Sequence, residues 1–407
     1  MNRFLFFLLL LFAYSSVKSQ TYDTVRVSLL TVEPHSKAVW TIFGHTALRV
    51  FDPVRNIDVV LNWGQFDVEK PHFILNFIEG KTDYFLSDPP FQYFIPNYAR
   101  DGVTMIEQVL NIPNSEKEAL LKFLQINLLP ENVEYRYSFV FENCTTRPRD
   151  VIERFCGGTL IYPEQTQPVT FRQLFHQYTR YYPWLELGID CIIGSGADSL
   201  VSYRNELFLP EKLMEALNHS TVKLPTGDEQ PIVLASKLIL RSQDVQPVHL
   251  SFWNRPFAVG FVVFAFYLVL VVVGYVKGIP RQARDDRSPE RGNKLLIRLP
   301  FALLFFIAGA GGCIVVMLNF FSLHPCVQSN WNILWLHPLH FIACIGFFFR
   351  KSYRWICWYH TANFVLLSSF LLGWHWIPQE LNKAFIPFIL CLWIVSGLQR
   401  VVLKQRI

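Results

Sequence analysis

From residue 257 onward the chain consists of five apolar stretches, about 257–276, 299–321, 332–349, 355–376 and 382–398, each close to the ~20 residues a helix needs to cross a bilayer. Nothing else restricts the fold so severely. In hydrocarbon every backbone polar group has to be satisfied internally, and for single runs of this length that means helices. The third and fourth stretches carry His340, His360 and Asn363 in apolar surroundings. The connecting segments alternate in charge: residues 277–298 hold seven Lys or Arg, 350–354 hold three, and the end of the chain holds Arg400, Lys404 and Arg406. The connections around LHPCVQSN and IPQELNK hold none and one. Basic loops stay cytoplasmic, so 399–407 reads as a cytoplasmic tail and residues 20–256 belong on the outer, periplasmic face.

The N-terminus agrees with that orientation. MNRFLFFLLLLFAYSSVKSQ has Arg3, an eleven-residue apolar run and small residues before Gln20, which predicts a signal peptide over 1–19, with an uncleaved anchor as the alternative. The expectation is a multi-pass protein of the inner (cytoplasmic) membrane. With 51% hydrophobic and 17% charged residues, the chain is too apolar for an ordinary soluble protein. A net charge of +5 without a basic stripe argues against a nucleic-acid partner.

Residues 20–218 have mixed, globular patterning. TVRVSLLTVE, TIFGHTALRVFD and NIDVVLNWGQFD alternate like strands, the last two joined by a turn at Asp52-Pro53. NSEKEALLKFLQINLL has a helical period and a Ser115-to-Glu118 capping-box spacing. EYRYSFVFE reads as another strand, and Thr146 to Phe155 as a helix with Pro148 in its first turn. The fold class is therefore α+β, followed by a linker at 219–256 and an all-α membrane domain of five helices over 257–398.

The chemistry concentrates in FENCTTRPRD. Cys144 falls between a strand and a helix start, where free N–H groups and the helix dipole favour a thiolate, and where Arg147 and Arg149 would help if they turned toward the sulfur. A disulfide is the competing use in an oxidising compartment. Cys144, Cys156 and Cys191 are three, however, which leaves one over, and Cys156 with Cys191 is the preferred pair if one forms. Of His35, His45, His72, His176 and His219, His45 stands out, since it follows Gly44 at the start of a strand whose neighbour carries the amide Asn62. A thiol, an imidazole and an orienting amide are the parts of a thiol acyl-transfer site, although a lone strand histidine is more often a core residue. There is no CxxC or HExxH for a metal, and GSGADS lacks a nucleophile elbow. The membrane-region histidines His337, His340, His360 and His375 read as structural or lipid-docking groups. The aromatic stretches FILNFIEGKTDYFLSDPPFQYF and YTRYYPWLELG suit either the membrane interface or a core.

WTIFGHTALRV, LNWGQFD, YRYSFVFENCTTRPRD and LGIDCIIGSGADS followed by FLP resemble the outer-face domain of the Lnb-type lipoprotein N-acyltransferases, and the multi-span end resembles that family's membrane anchor. The resemblance implies a domain similar to circularly permuted papain-like NlpC/P60 thiol enzymes, with Cys144 as nucleophile and His45 as base. Asn62, Asn143, Arg147, Arg149, Asp150 and Gly44 would surround the site, with Trp63 and Glu142 standing where the family would have Tyr and Asp. It implies no cofactor, a membrane phospholipid as acyl donor and a diacylated lipoprotein as acceptor. A thiol phospholipase, a cell-wall amidase or peptidase, and a non-catalytic binding or chaperone module are the rival expectations.

Overall fold

The computed structural model describes residues 22–242, 251–276, 291–348 and 353–404. The expected signal peptide and parts of the basic loops lie outside the described residues.

The outer domain is built on strands β1 Arg26–Val32, β2 His45–Asp52, β3 Ile57–Gln65, β4 Asp83–Ser87, β5 Met105–Leu110 and β6 Glu134–Arg136. Short strands β7 Thr159–Ile161, β8 Val169–Thr170, β9 Leu200–Val201, β10 Thr221–Lys223 and β11 Glu229–Pro231 come next, then β12 Val233–Leu240. Seven of these form one antiparallel sheet in the order β12-β5-β1-β2-β3-β4-β6. Its helices are α1 Phe73–Glu79, α2 Phe91–Asp101, α3 Asn114–Asn127, α4 Thr146–Phe155, α5 Phe171–Thr179, α6 Pro183–Ile192, α7 Tyr203–Glu206 and α8 Pro210–Asn218.

Strand alternation assigns the two faces. Val27 and Leu29 of β1, Leu48 and Val50 of β2, and Leu61 and Trp63 of β3 pack under α3, α4 and α8 through Leu120, Leu124, Ile152, Phe155 and Leu213. Leu30, Val32, Ala47 and Val60 face the other way, under Phe94 and Tyr98 of α2. The two corrections here are local. α3 starts from Pro113, so Ser115 lies inside the helix and the expected capping box is not formed. The expected linker 219–256 holds β10, β11 and β12, and β12 pairs with β5 as the sheet's edge; residues 243–250 lie outside the described residues.

The membrane domain comprises α9 Pro256–Val276, α10 Arg291–Phe321, α11 His340–Gly346, α12 Tyr353–Leu372 and α13 Ile386–Lys404. Among the described residues three helices, over Pro256–Val273, Arg298–Phe321 and Arg354–Leu372, are long and apolar enough to cross a membrane, and Lys383–Gln399 is a shorter apolar helix. The third apolar stretch is not one continuous helix. It begins as the 3-10 turn Trp331–Leu334, passes Pro338, which cannot donate a helical hydrogen bond, and only then forms the seven-residue α11. α13 runs on to Lys404, so most of the expected tail is helical.

The buried membrane-domain polar groups tie helices together. His340 donates from Nε2 to the Trp335 carbonyl at 2.9 Å and accepts from the Tyr359 hydroxyl at 2.7 Å, while Asn363 donates to Ser396 at 2.9 Å. That supports the structural reading of these residues.

A buried polar joint locks the two domains. Arg172, fully buried on α5, pairs with Asp190 at 2.7 Å and with Asp198 at 2.6 Å. Asp190 also accepts from His176 at 3.0 Å and from Asn382 of the membrane domain at 2.9 Å. Asn332 and Asn330 donate to the Asp190 and Cys191 carbonyls at 2.9 Å, and Gln379 to Ile193 at 3.0 Å. Burial pushes the Asp190 carboxyl up, but His176, Arg172 and Asn382 outweigh it and hold it below the usual carboxylate range. His176, Glu186 and Asp190 have the spacing of a metal site, yet Asp190 is already engaged in this joint. The segments 322–332 and 379–382 both touch the outer domain, so the ends of the helices bordering them share its side of the membrane. The loops expected to be cytoplasmic leave from the opposite ends.

Candidate active site

Cys144 lies where the chain leaves the sheet and turns into α4. After β6, Ser138 and Glu142 exchange backbone hydrogen bonds of 3.1 and 3.0 Å, so EYRYSFVFE is a short strand and a tight turn instead of one strand. Asn143 organises the entry to the helix. Its Oδ1 accepts the N–H groups of Thr145 and Thr146, each at 2.8 Å, and its Nδ2 donates to the Phe139 and Phe208 carbonyls, each at 3.0 Å. Two N–H groups otherwise unpaired at a helix start are thus taken by one buried amide. Cys144 immediately precedes Thr145, the N-cap of α4.

His45 opens β2. At Gly44, φ is +78° and an added Cβ would lie 2.6 Å from the Val32 carbonyl oxygen, so only glycine makes this approach. Extending the pairing of Leu48 with Leu61 puts His45 opposite Gly64 and diagonal to Asn62, on the same face of the sheet. The imidazole Nε2–H donates to Asn62 Oδ1 at 2.6 Å. That leaves Nδ1 for the thiol, which borders the same cavity as the imidazole and is close enough for each to shift the other's charge.

Strand and helix are held together beside this pair. The hydroxyl of Thr145 donates to that of Thr46 at 3.3 Å. Gly64, at φ +93°, would carry a Cβ 3.2 Å from that of Cys144. Tyr98 of α2 lies over the imidazole, with ring centroids 6.5 Å apart and planes at 16°.

The electrostatics arise from these contacts. Burial pushes the Cys144 thiol up, but the charge and hydrogen bond of His45, the Thr46 N–H and the Thr145 hydroxyl outweigh it and leave the thiol below its ordinary value. Burial pushes His45 down, and the Cys144 charge and hydrogen bond, with Asn62, leave it raised. Both directions favour a thiolate beside an imidazolium, the nucleophilic form of the pair.

Cys144 and His45 are half-buried and border a cavity of about 340 Å³. Gly44, Gly64 and Gln65 complete its floor, and His35, Trp40, Phe66, Tyr84, Tyr98 and Tyr137 make a mostly aromatic wall. Trp40, in that wall, is 65% exposed.

Comparison with known families matches the Lnb N-terminal periplasmic domain to residues 13–177 and the Lnb transmembrane domain to residues 249–406. The chain belongs to the Lnb family. No curated protein and no solved structure matches it. As a member of that family it is a multi-pass membrane protein with a periplasmic domain, and the periplasmic match contains His45, Asn62 and Cys144.

The other residues expected around the site in this Lnb-family chain have different surroundings. Neither arginine of the motif turns toward the sulfur. Arg147 pairs with Glu142 at 2.6 Å and lies 4.2 Å over the Tyr135 ring. Arg149, buried, bonds Asp150 at 2.7 Å and the Arg204 carbonyl at 3.0 Å. Asp150 also accepts from Arg204 at 2.6 Å, so these residues brace α4 against α7. Trp63 points into the core, 2% exposed. Cys156 and Cys191 are both free; the first is buried beside the sheet and the second packs against the membrane-domain core, so the expected pair is absent. Sequence reading missed Thr46, Thr145 and the tyrosines of the wall, whose approach depends on long-range pairing; Gly64 in LNWGQFD was the one local signal.

Proposed function

We propose that the protein is a lipoprotein N-acyltransferase that moves an acyl chain from a membrane phospholipid, through a thioester on Cys144, to the α-amino group of a lipoprotein's diacylglyceryl-cysteine. The observation carrying this reading is the Asn62–His45 hydrogen bond placed beside Cys144 at one aromatic cavity, in a periplasmic domain locked onto membrane helices.

In the first half-reaction His45 Nδ1 takes the thiol proton and Cys144 Sγ attacks the ester carbonyl. The oxyanion is met by the Cys144 backbone N–H at the helix start. As the tetrahedral intermediate collapses, the lysophospholipid oxygen leaves with the proton from His45, and the acyl-thioester remains. In the second half-reaction the free amine attacks that thioester, His45 accepts the amine proton and returns it to the departing sulfur, and the amide-linked product leaves. Both donor and acceptor are lipids. Drawing an acyl chain into water costs ~0.8 kcal/mol per CH₂, which favours a site tied to the bilayer.

The test uses the full chain in vesicles with acyl-labelled phospholipid and a diacylated lipopeptide bearing a free amine. N-acylated peptide is the expected product, abolished by Cys144→Ser and by His45→Ala. Labelled free fatty acid with no N-acylated peptide would overturn the transferase reading in favour of a phospholipase.

A further inference from the structure

Helix α1, FILNFIE, has no buried residue although it is almost entirely apolar. Ile74 is 74% exposed, Leu75 47% and Phe77 44%. A patch of this kind on a folded domain marks a contact surface. Its position says which one. The end of α1 is fastened to the residues that directly follow α10: Leu323 donates its N–H to the Glu79 carbonyl at 2.8 Å, the Ser322 hydroxyl to Ile78 at 2.7 Å, and His324 Nε2–H to Phe77 at 2.6 Å. α10 contains a membrane-crossing stretch that ends at Phe321. Phe320, Phe321 and Leu323, each 60% exposed or more, continue the apolar surface from that helix end toward α1. The helix is therefore held at the level of the outer lipid surface.

An aromatic series then leads inward. Phe77 stacks on Phe73 with centroids 6.3 Å apart, Phe73 on Phe66 at 5.7 Å, and Phe66 packs against Tyr84 at 5.1 Å. Phe66 and Tyr84 line the cavity that holds Cys144.

We propose that α1 dips into the outer leaflet and that the Phe77–Phe73–Phe66 series is the ramp along which a phospholipid acyl chain passes from the bilayer to the Cys144 cavity. The ramp keeps the chain against rings over the whole path, so a lipid with its headgroup at the interface can present its ester without its tail crossing water. This inference rests on the acyl-transfer reading and specifies how its donor arrives.

The test separates donor delivery from thiol chemistry. The full-length protein and an Ile74→Asp/Leu75→Asp variant are compared for thioester formation on Cys144, read by intact mass. One arm uses acyl-labelled phosphatidylethanolamine vesicles and the other p-nitrophenyl butyrate, which reaches the cavity through water. Both positions are exposed, so the fold has no need of them. Loading from vesicles should fall by about a hundredfold or more, the scale of two aliphatic side chains withdrawn from lipid contact, while loading from the soluble ester stays the same. Unchanged loading from vesicles, or an equal fall with both donors, would overturn the ramp. Unsubstituted protein that loads from neither donor would overturn the acyl-transfer reading itself, and the ramp with it.

Discussion

Asn62 allows the sharpest test of how the thiol is activated. It is 6% exposed, and its Oδ1 accepts from His45 Nε2 at 2.6 Å. Replacing it with alanine leaves a donor of the half-buried imidazole without its buried acceptor. That costs about 1–3 kcal/mol, or about 5- to 150-fold in the rate of thioester formation if the whole loss falls on the activated pair.

The pH dependence separates this effect from a general loss of fold. Asn62 helps to raise His45, and the charged imidazole is what brings Cys144 below its ordinary value. Without the amide the imidazolium is less favoured, so thiol deprotonation moves to higher pH and imidazolium loss to lower pH. The pH at which Cys144 begins to react with iodoacetamide should therefore rise. Asn62→Asp keeps an acceptor and adds a negative charge that favours the imidazolium, so alkylation at neutral pH should be retained. The assay is the rate of Cys144 alkylation against pH, followed by peptide mass. An Asn62→Ala profile superimposable on that of the unsubstituted protein would refute the reasoning, because the hydrogen bond would then contribute nothing to the pair.

Gly64→Ala should abolish thioester formation and lower the Tm by a few degrees at about 1–3 kcal/mol of strain, since the new Cβ strains a φ of +93° and crowds Cys144 at 3.2 Å; retained loading would contradict the close approach. Arg172→Met leaves Asp190 without its buried cation and should destabilise the protein by about 3–5 kcal/mol, read as a lowered Tm in detergent, with an unchanged Tm contradicting the joint. Arg147→Ala should leave the pH profile of Cys144 alkylation in place, because this guanidinium faces Glu142 and Tyr135; a shifted thiol limb would show that it acts on the sulfur.

Local signals in the sequence carried the elements that hold the site. The Asp52-Pro53 turn joins β2 and β3. α4 covers Thr146–Phe155, with Pro148 in the first turn where its missing N–H is harmless. Long apolar runs also mark the membrane helices, because their signal is composition alone.

The features that stayed hidden depend on partners distant in sequence. β12 looked like linker because most of it is exposed on an edge, and its partner β5 lies more than a hundred residues earlier. The motif arginines would favour the thiolate only if turned toward the sulfur, and the sequence does not carry their direction, which is set by Glu142, Asp150 and Arg204. The cavity wall gathers Trp40, Tyr84, Tyr98 and Tyr137 from separate elements, which no spacing rule brings together. Pro338 was visible within the third apolar stretch, and its effect, a broken segment with a short helix, comes from the missing N–H.

The most direct measurement is the intact mass of the full chain after exposure to phospholipid vesicles without acceptor, with the modified peptide located. The account predicts one hydroxylamine-labile acyl group, on Cys144, that disappears when a diacylated lipopeptide with a free amine is added. Absence of any adduct, or an adduct on another of the eight cysteines, would contradict it.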